Sequence, residues 1–267
     1  MLTSSRSTRV LAGLLVATSA VQLGALVTSS IRLADVTQWF LMPLLAGWVL
    51  AAASARPRGR LVRLTLAALA ASWLGDTVPD LVPSSSSFLV MVGFFLCAQL
   101  CYIAAFWPFR ARSAVRSPRP GSSARPRWRP AGAVAYGGAL VALVVACAPG
   151  AGSLLIPTVV YGVCLVSMAA LATGVNGRVA LGGAIFLVSD SLIALHAFTS
   201  WYAVPQHGFW VMLTYVVGQA LIASGVVAQR RGGTSGSADR ATSGSADRAT
   251  SGRPPIVAAE GDPVPGT

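Results

Sequence analysis

The chain has 267 residues, 54% of them hydrophobic and only 10% charged, with a mean hydropathy of +0.67. A water-soluble domain carries about 25% charged residues, so this composition excludes an ordinary soluble globule. The net charge of +12 comes entirely from arginine, since the chain has no lysine.

Apolar runs long enough to cross a membrane recur along the chain, since about 20 apolar residues span a hydrocarbon core of about 30 Å. Eight spans are expected, near residues 10–28, 36–55, 61–79, 87–108, 131–149, 153–173, 179–198 and 207–229. The first is too long for the apolar core of a signal peptide and lacks a clear small-residue cleavage site, so it counts as a helix. Backbone polar groups in lipid must be satisfied within their own segment, so each run predicts a helix. The alternating pattern of a membrane β-barrel is absent. The expected fold is an all-α polytopic bundle of eight transmembrane helices.

The arginines fall in alternate loops. Arg6 and Arg9 precede the first span, and Arg56, Arg58, Arg60 and Arg63 follow the second. Seven lie between Arg110 and Arg129, Arg178 follows the sixth span, and five lie in the tail. The other loops carry only Arg32. This is the positive-inside bias, and it places both termini in the cytoplasm. The basic charge therefore records topology and attraction to anionic lipid heads rather than nucleic acid. Arginine in place of lysine, with abundant alanine, suggests a GC-rich bacterial genome, and the expected location is the cell membrane.

Between the fourth and fifth spans, residues 110–130 form a basic Pro/Ser-rich linker that separates a first half, 10–109, from a second, 131–229. The N-terminus, 1–9, and a tail, 230–267, flank the two halves. The tail repeats TSGSADRA from Thr234 and again from Thr242, and such small polar residues predict disorder. Cys97, Cys101, Cys147 and Cys164 all lie in spans and read as small hydrophobes rather than metal ligands.

A longer repeat connects the halves. Pro43 and Pro157 lie 114 residues apart, and so do Asp76 and Asp190. Helices two and three thus match six and seven. Four helices per half keep both halves in one orientation, so the expected arrangement is two parallel four-helix repeats.

Asp76 and Asp190 are the clear intramembrane acids. Asp80 is expected at an outer helix end and Asp35 at a helix entry. An aspartate at a helix centre costs about 2.5–3.5 kcal/mol on insertion scales, and such residues face the bundle interior. One alone could simply join helices; two at matching positions favour function. Gln99 with Tyr102, and Tyr215 with Gln219, each share a helical face, and Tyr161 is a further candidate for binding substrate. Each is also a plausible interhelical contact. His196 and His207 read as interfacial.

No GxSxG elbow, zinc-ligand spacing, Walker loop or dinucleotide fingerprint is present, and without lysine no Schiff base can form. No metal or cofactor is expected. What remains is a carboxyl pair among apolar residues, and one acid with one base is what general acid–base hydrolysis requires.

The segments LMPLLAGW, SWLGD, FFLCAQLCYIAAF, GGAIFLVSDSLIAL and VMLTYVVGQALI, in this order, resemble the YhhN-like lysoplasmalogenase family over roughly residues 10–229. The resemblance implies hydrolysis of the vinyl ether of a lysophospholipid to a fatty aldehyde and a glycerophospho-headgroup. It also implies that Asp76 and Asp190 are the two acids. The chain departs from many members in carrying Gln38 and Trp39 instead of a Lys-Pro pair, and Gln99 instead of histidine. The rival expectation is a proton-coupled transporter using the same two aspartates.

Overall fold

The computed structural model describes residues 2–53, 58–117, 127–128 and 130–250, with side chains over 6–53, 58–115 and 131–230. Among the described residues eight α-helices follow one another: α1 Leu2–Val27, α2 Ile31–Ala52, α3 Arg60–Thr77, α4 Ser84–Phe106, α5 Pro130–Ala151, α6 Leu155–Ala172, α7 Gly177–Phe198 and α8 His207–Thr250. A two-residue antiparallel pairing, Arg116–Ser117 with Arg127–Trp128, is the only β structure among the described residues. The chain is an all-α membrane bundle.

Counted as continuous apolar helical stretches long enough to cross a membrane, there are seven among the described residues, not the eight expected. The difference lies at Ala131–Ala172, which forms one stretch of 42 residues. A short 3-10 turn at Gly152–Leu154 divides it, within the run Pro149-Gly150-Ala151-Gly152-Ser153 and between the spans expected at 131–149 and 153–173. Gly152 enters that turn at a φ of +49°, which glycine adopts freely. A side chain at Gly162 of α6 would meet Leu140 of α5, so the two segments fold back on one another.

Residues 1–229 form one compact unit and 230–267 a second. α8 continues to Thr250, through part of the tail expected to lack fixed structure, while its membrane-length apolar part ends at Arg230.

The first unit has an apolar outside and a partly polar inside. Val16, Val134, Val141 and Val145 are all more than half exposed, as lipid-facing side chains must be. The interior is built from stripes at helical spacing. On α3 the stripe is Val62, Thr65, Leu69, Ser72 and Asp76; on α7 it is Val179, Gly182, Phe186, Ser189 and Asp190. Both aspartates therefore continue the faces that pack inward.

Close backbone contact sets the position of α7. A Cβ at Gly182 would lie 2.7 Å from the Gly218 carbonyl oxygen of α8, and one at Gly183 would lie 2.9 Å from Ala172 Cβ of α6. Two adjacent glycines thus let α7 touch a neighbour on each side, the small-residue packing typical of membrane helices. α7 begins at Asn176, whose Oδ1 accepts from the amides of Arg178 and Val179 at 3.1 Å each. That bond caps the helix, and Asn176 Nδ2 donates to the Gly225 carbonyl of α8 at 2.9 Å.

Candidate functional site

Asp76 and Asp190 line the same chamber, of about 280 Å³, near the lower end of small-molecule sites at about 300–1,000 Å³. Both are 6% exposed. Its other polar walls are Gln38, Ser189, His207 and Tyr215.

Each carboxyl is held at Oδ2 by a tyrosine hydroxyl. Tyr215 of α8 donates to Asp76 at 2.7 Å, and Tyr161 of α6 donates to Asp190. Gln99 of α4 donates a second, longer bond to Asp190 Oδ2, at 3.4 Å. Asp76 in the first half is held from α8 of the second, whereas Asp190 is held from α6 in its own half and, by the longer bond, from α4 of the first. Gln99 Oε1 is buried with no hydrogen-bond partner among the described residues. A buried orphan acceptor beside a carboxyl is uncommon.

The residue before Asp76 shapes the wall. A Cβ at Gly75 would come within 2.9 Å of the Phe95 ring, so SWLGD needs glycine there for Phe95 to lie beside Asp76. Phe95 also packs edge-on to Tyr215 at 5.7 Å and against Phe186 at 6.5 Å. This aromatic cluster fixes the ring that holds Asp76. Ser189 donates to the Val211 carbonyl of α8 at 3.0 Å and ties α7 to α8 one residue from Asp190.

A second, mostly apolar groove runs between α4, α6 and α7 and reaches Asp190 from the other side. Met91, Phe95, Asp190 and Ile193 line both spaces. Asp190 therefore sits where a polar chamber meets an apolar groove, while Asp76 faces the chamber alone.

Tyr102 and Gln219 lie elsewhere. Tyr102 donates to Gln219 Oε1 at 2.5 Å, and Gln219 Nε2 donates to Ser72 at 3.2 Å. All three are fully buried and line neither space, so they join α3, α4 and α8 one turn from Asp76. Asp80 follows α3 in a short 3-10 helix and accepts from Trp39 at 3.1 Å. Among the described residues no cluster of metal-binding side chains occurs, and all four cysteines are free.

Two wall residues were not expected as site residues. Gln38 lies beside Asp76 and reaches its carbonyl at 3.5 Å. A signal was present, because Gln38 extends the buried stripe of Met42, Leu45 and Val49 on α2. His207 is stacked on His196, with ring centroids 4.2 Å apart, and its Nδ1 lies 3.1 Å from the Tyr202 hydroxyl. Its signal is spacing, since His207, Val211 and Tyr215 fall on one face of α8.

Compared with known families, residues 33–226 match the model of the YhhN family. No curated protein and no solved structure matches the chain.

Proposed function

We propose that this chain, which belongs to the YhhN family and is a multi-pass membrane protein, hydrolyses the vinyl ether bond of lysoplasmalogen-type lipids. The observation that carries the reading is the pair of buried carboxyls on one chamber, each held by a tyrosine, with Asp190 at the edge of an apolar groove. Such a pair offers an acid and a base without a metal or nucleotide.

A vinyl ether is opened by protonating its β-carbon, which belongs to the apolar side of the bond. Asp190, facing the groove, is assigned that proton. The resulting oxocarbenium carbon takes water from the polar chamber, and Asp76 accepts the water's proton. Collapse of the hemiacetal returns the Asp76 proton to the departing glycerol oxygen. The hemiacetal hydroxyl proton passes to Asp190, so both groups end as they began. Aldehyde and glycerophospho-alcohol leave. Orphaned Gln99 Oε1 supports the assignment: rotating its amide would let that oxygen accept from a protonated Asp190 carboxyl. Tyr161 and Tyr215 are positioning residues here, and Gln38 and His207 offer hydrogen bonds to the substrate's oxygen-rich end. The arginine distribution supports both termini and the 110–130 linker lying in the cytoplasm.

The test is to offer purified protein a panel of vinyl-ether and acyl lysophospholipids and to detect aldehyde against fatty acid. Aldehyde from the vinyl ethers alone is expected. Fatty acid from the acyl lipids, or no product from either, contradicts the reading. A second reading is a proton-coupled transporter, favoured by two buried carboxyls 114 residues apart on one chamber, each reached by a side chain from the other half of the chain. It predicts substrate movement with no aldehyde formed.

A further inference from the structure

We infer that the groove between α4, α6 and α7 is the seat of the substrate's hydrocarbon chain, which runs from the vinyl group at Asp190 past Ala194 and Thr158, one turn on, toward Phe198. The inference rests on the hydrolase reading and names the part of the lipid that this groove takes.

Three observations carry it. The groove is continuous with the chamber at Asp190, Met91, Phe95 and Ile193. A bond positioned at Asp190 therefore has an apolar path on one side and a polar space on the other, as an alkenyl lysophospholipid requires. Beyond Asp190 the groove wall is apolar apart from Thr158 and Tyr161, so it offers a headgroup almost nothing to bond. The groove also has a defined course. Farthest from Asp190 along α7 it is lined by Phe198, whose ring meets that of Phe88 edge to face at 5.6 Å. Along its side lies Leu89, 48% exposed on the outer surface of the bundle. From Asp190 to Phe198 the α7 wall rises about 12 Å. A longer chain leaves sideways past Leu89 into the surrounding lipid.

This seat adds little affinity, because lipid tails are as apolar as the groove itself. Its work is alignment: it holds the β-carbon at Asp190, which is where positioning contributes to rate. Filling the groove one turn beyond Asp190 should therefore harm long chains and spare chains that end before the obstruction.

Two experiments test it. In the first, Ala194→Phe and Thr158→Phe proteins are compared with the parent on vinyl-ether lysophospholipids of long and very short alkenyl chain. The expected result is that the long-to-short ratio of kcat/KM falls at least tenfold. An unchanged ratio, with both substrates slowed equally or not at all, overturns the inference. In the second, a non-hydrolysable alkyl-ether lysophospholipid bearing a diazirine near the start of its chain is photolysed with the parent protein. Cross-links concentrated on α4, α6 and α7 around Val92, Thr158 and Ala194 are expected. Cross-links spread over lipid-facing α1 and α5, as for a groove filled by a bilayer lipid, overturn it. The second experiment needs no turnover. Failure of the hydrolase reading, seen as no aldehyde from any vinyl ether, is thereby distinguished from failure of the groove assignment.

Discussion

Gly182→Ala tests the packing that brings the two aspartates to one chamber. The added methyl would lie 2.7 Å from the Gly218 carbonyl oxygen and 2.8 Å from the Ile222 nitrogen. Both are backbone atoms that cannot turn away. Ordinary contact begins near 3.4 Å, so α7 and α8 must part by about 0.7 Å at this point. Overpacking of this kind costs about 1–3 kcal/mol. For a unit of this size, each kcal/mol corresponds to about 2–4 °C in Tm. The same separation would stretch the Ser189–Val211 hydrogen bond, 3.0 Å long, past the distance at which it holds. Gly13→Ala on α1 is the control, since nothing lies within 4 Å of its added methyl and alanine favours a helix over glycine by about 1 kcal/mol. Thermal unfolding in one detergent, followed by loss of the monodisperse peak, should show Gly182→Ala lowered by at least several degrees and Gly13→Ala unchanged or raised. Equal Tm values for the two variants would refute the close α7–α8 contact.

Tyr161→Phe and Tyr215→Phe each remove a hydrogen bond to a carboxyl, worth about 1.5–3 kcal/mol where the partner is charged. Each should lower kcat on a vinyl ether about tenfold or more with a smaller change in KM, and a wild-type kcat would show that the tyrosine orients nothing. Gln219→Leu strands the buried Tyr102 hydroxyl, at about 1–3 kcal/mol. It should lower Tm while folded protein keeps its turnover, and a loss of kcat without loss of Tm would move Gln219 into the chemistry. In a background free of native cysteines, Arg112→Cys should react with an impermeant thiol reagent only after the membrane is opened, and Ala203→Cys in intact cells. The reverse labelling would invert the topology.

The spans were legible because lipid removes alternatives: twenty apolar residues without a backbone partner outside the segment must be helical. The junction of α5 and α6 was legible as well, because Pro149, Gly150, Gly152 and Ser153 interrupt the apolar run where the turn falls, although by length and hydropathy alone 131–172 counts as one stretch. The aspartates were legible because charge is costly in lipid and rare. Their partners were legible as a set but not as pairs. Tyr215 lies 139 residues from Asp76 and Gln99 lies 91 from Asp190, and which helices face each other is set by packing at Gly182, Gly183 and Gly75. Tyr102 and Gln219 have the composition and spacing of site residues, yet their helix faces meet one another rather than the chamber. Gln38 was noted only as a departure from the family's Lys-Pro pair and His207 was judged by its place beside an outer loop, whereas the helical face of each carried the signal.

The central claim is that two carboxyls perform the reaction, and Asp76→Asn with Asp190→Asn tests it most directly. Asparagine keeps the shape and the tyrosine hydrogen bond but cannot pass a proton, and general acid–base catalysis contributes about 10²–10⁴-fold. Aldehyde release from a vinyl-ether lysophospholipid is measured for each variant beside its detergent Tm. The account predicts that each loses activity by at least a hundredfold while its Tm stays within a few degrees of the parent. A variant that releases aldehyde at the parent's rate would contradict it and reduce that aspartate to a contact between helices.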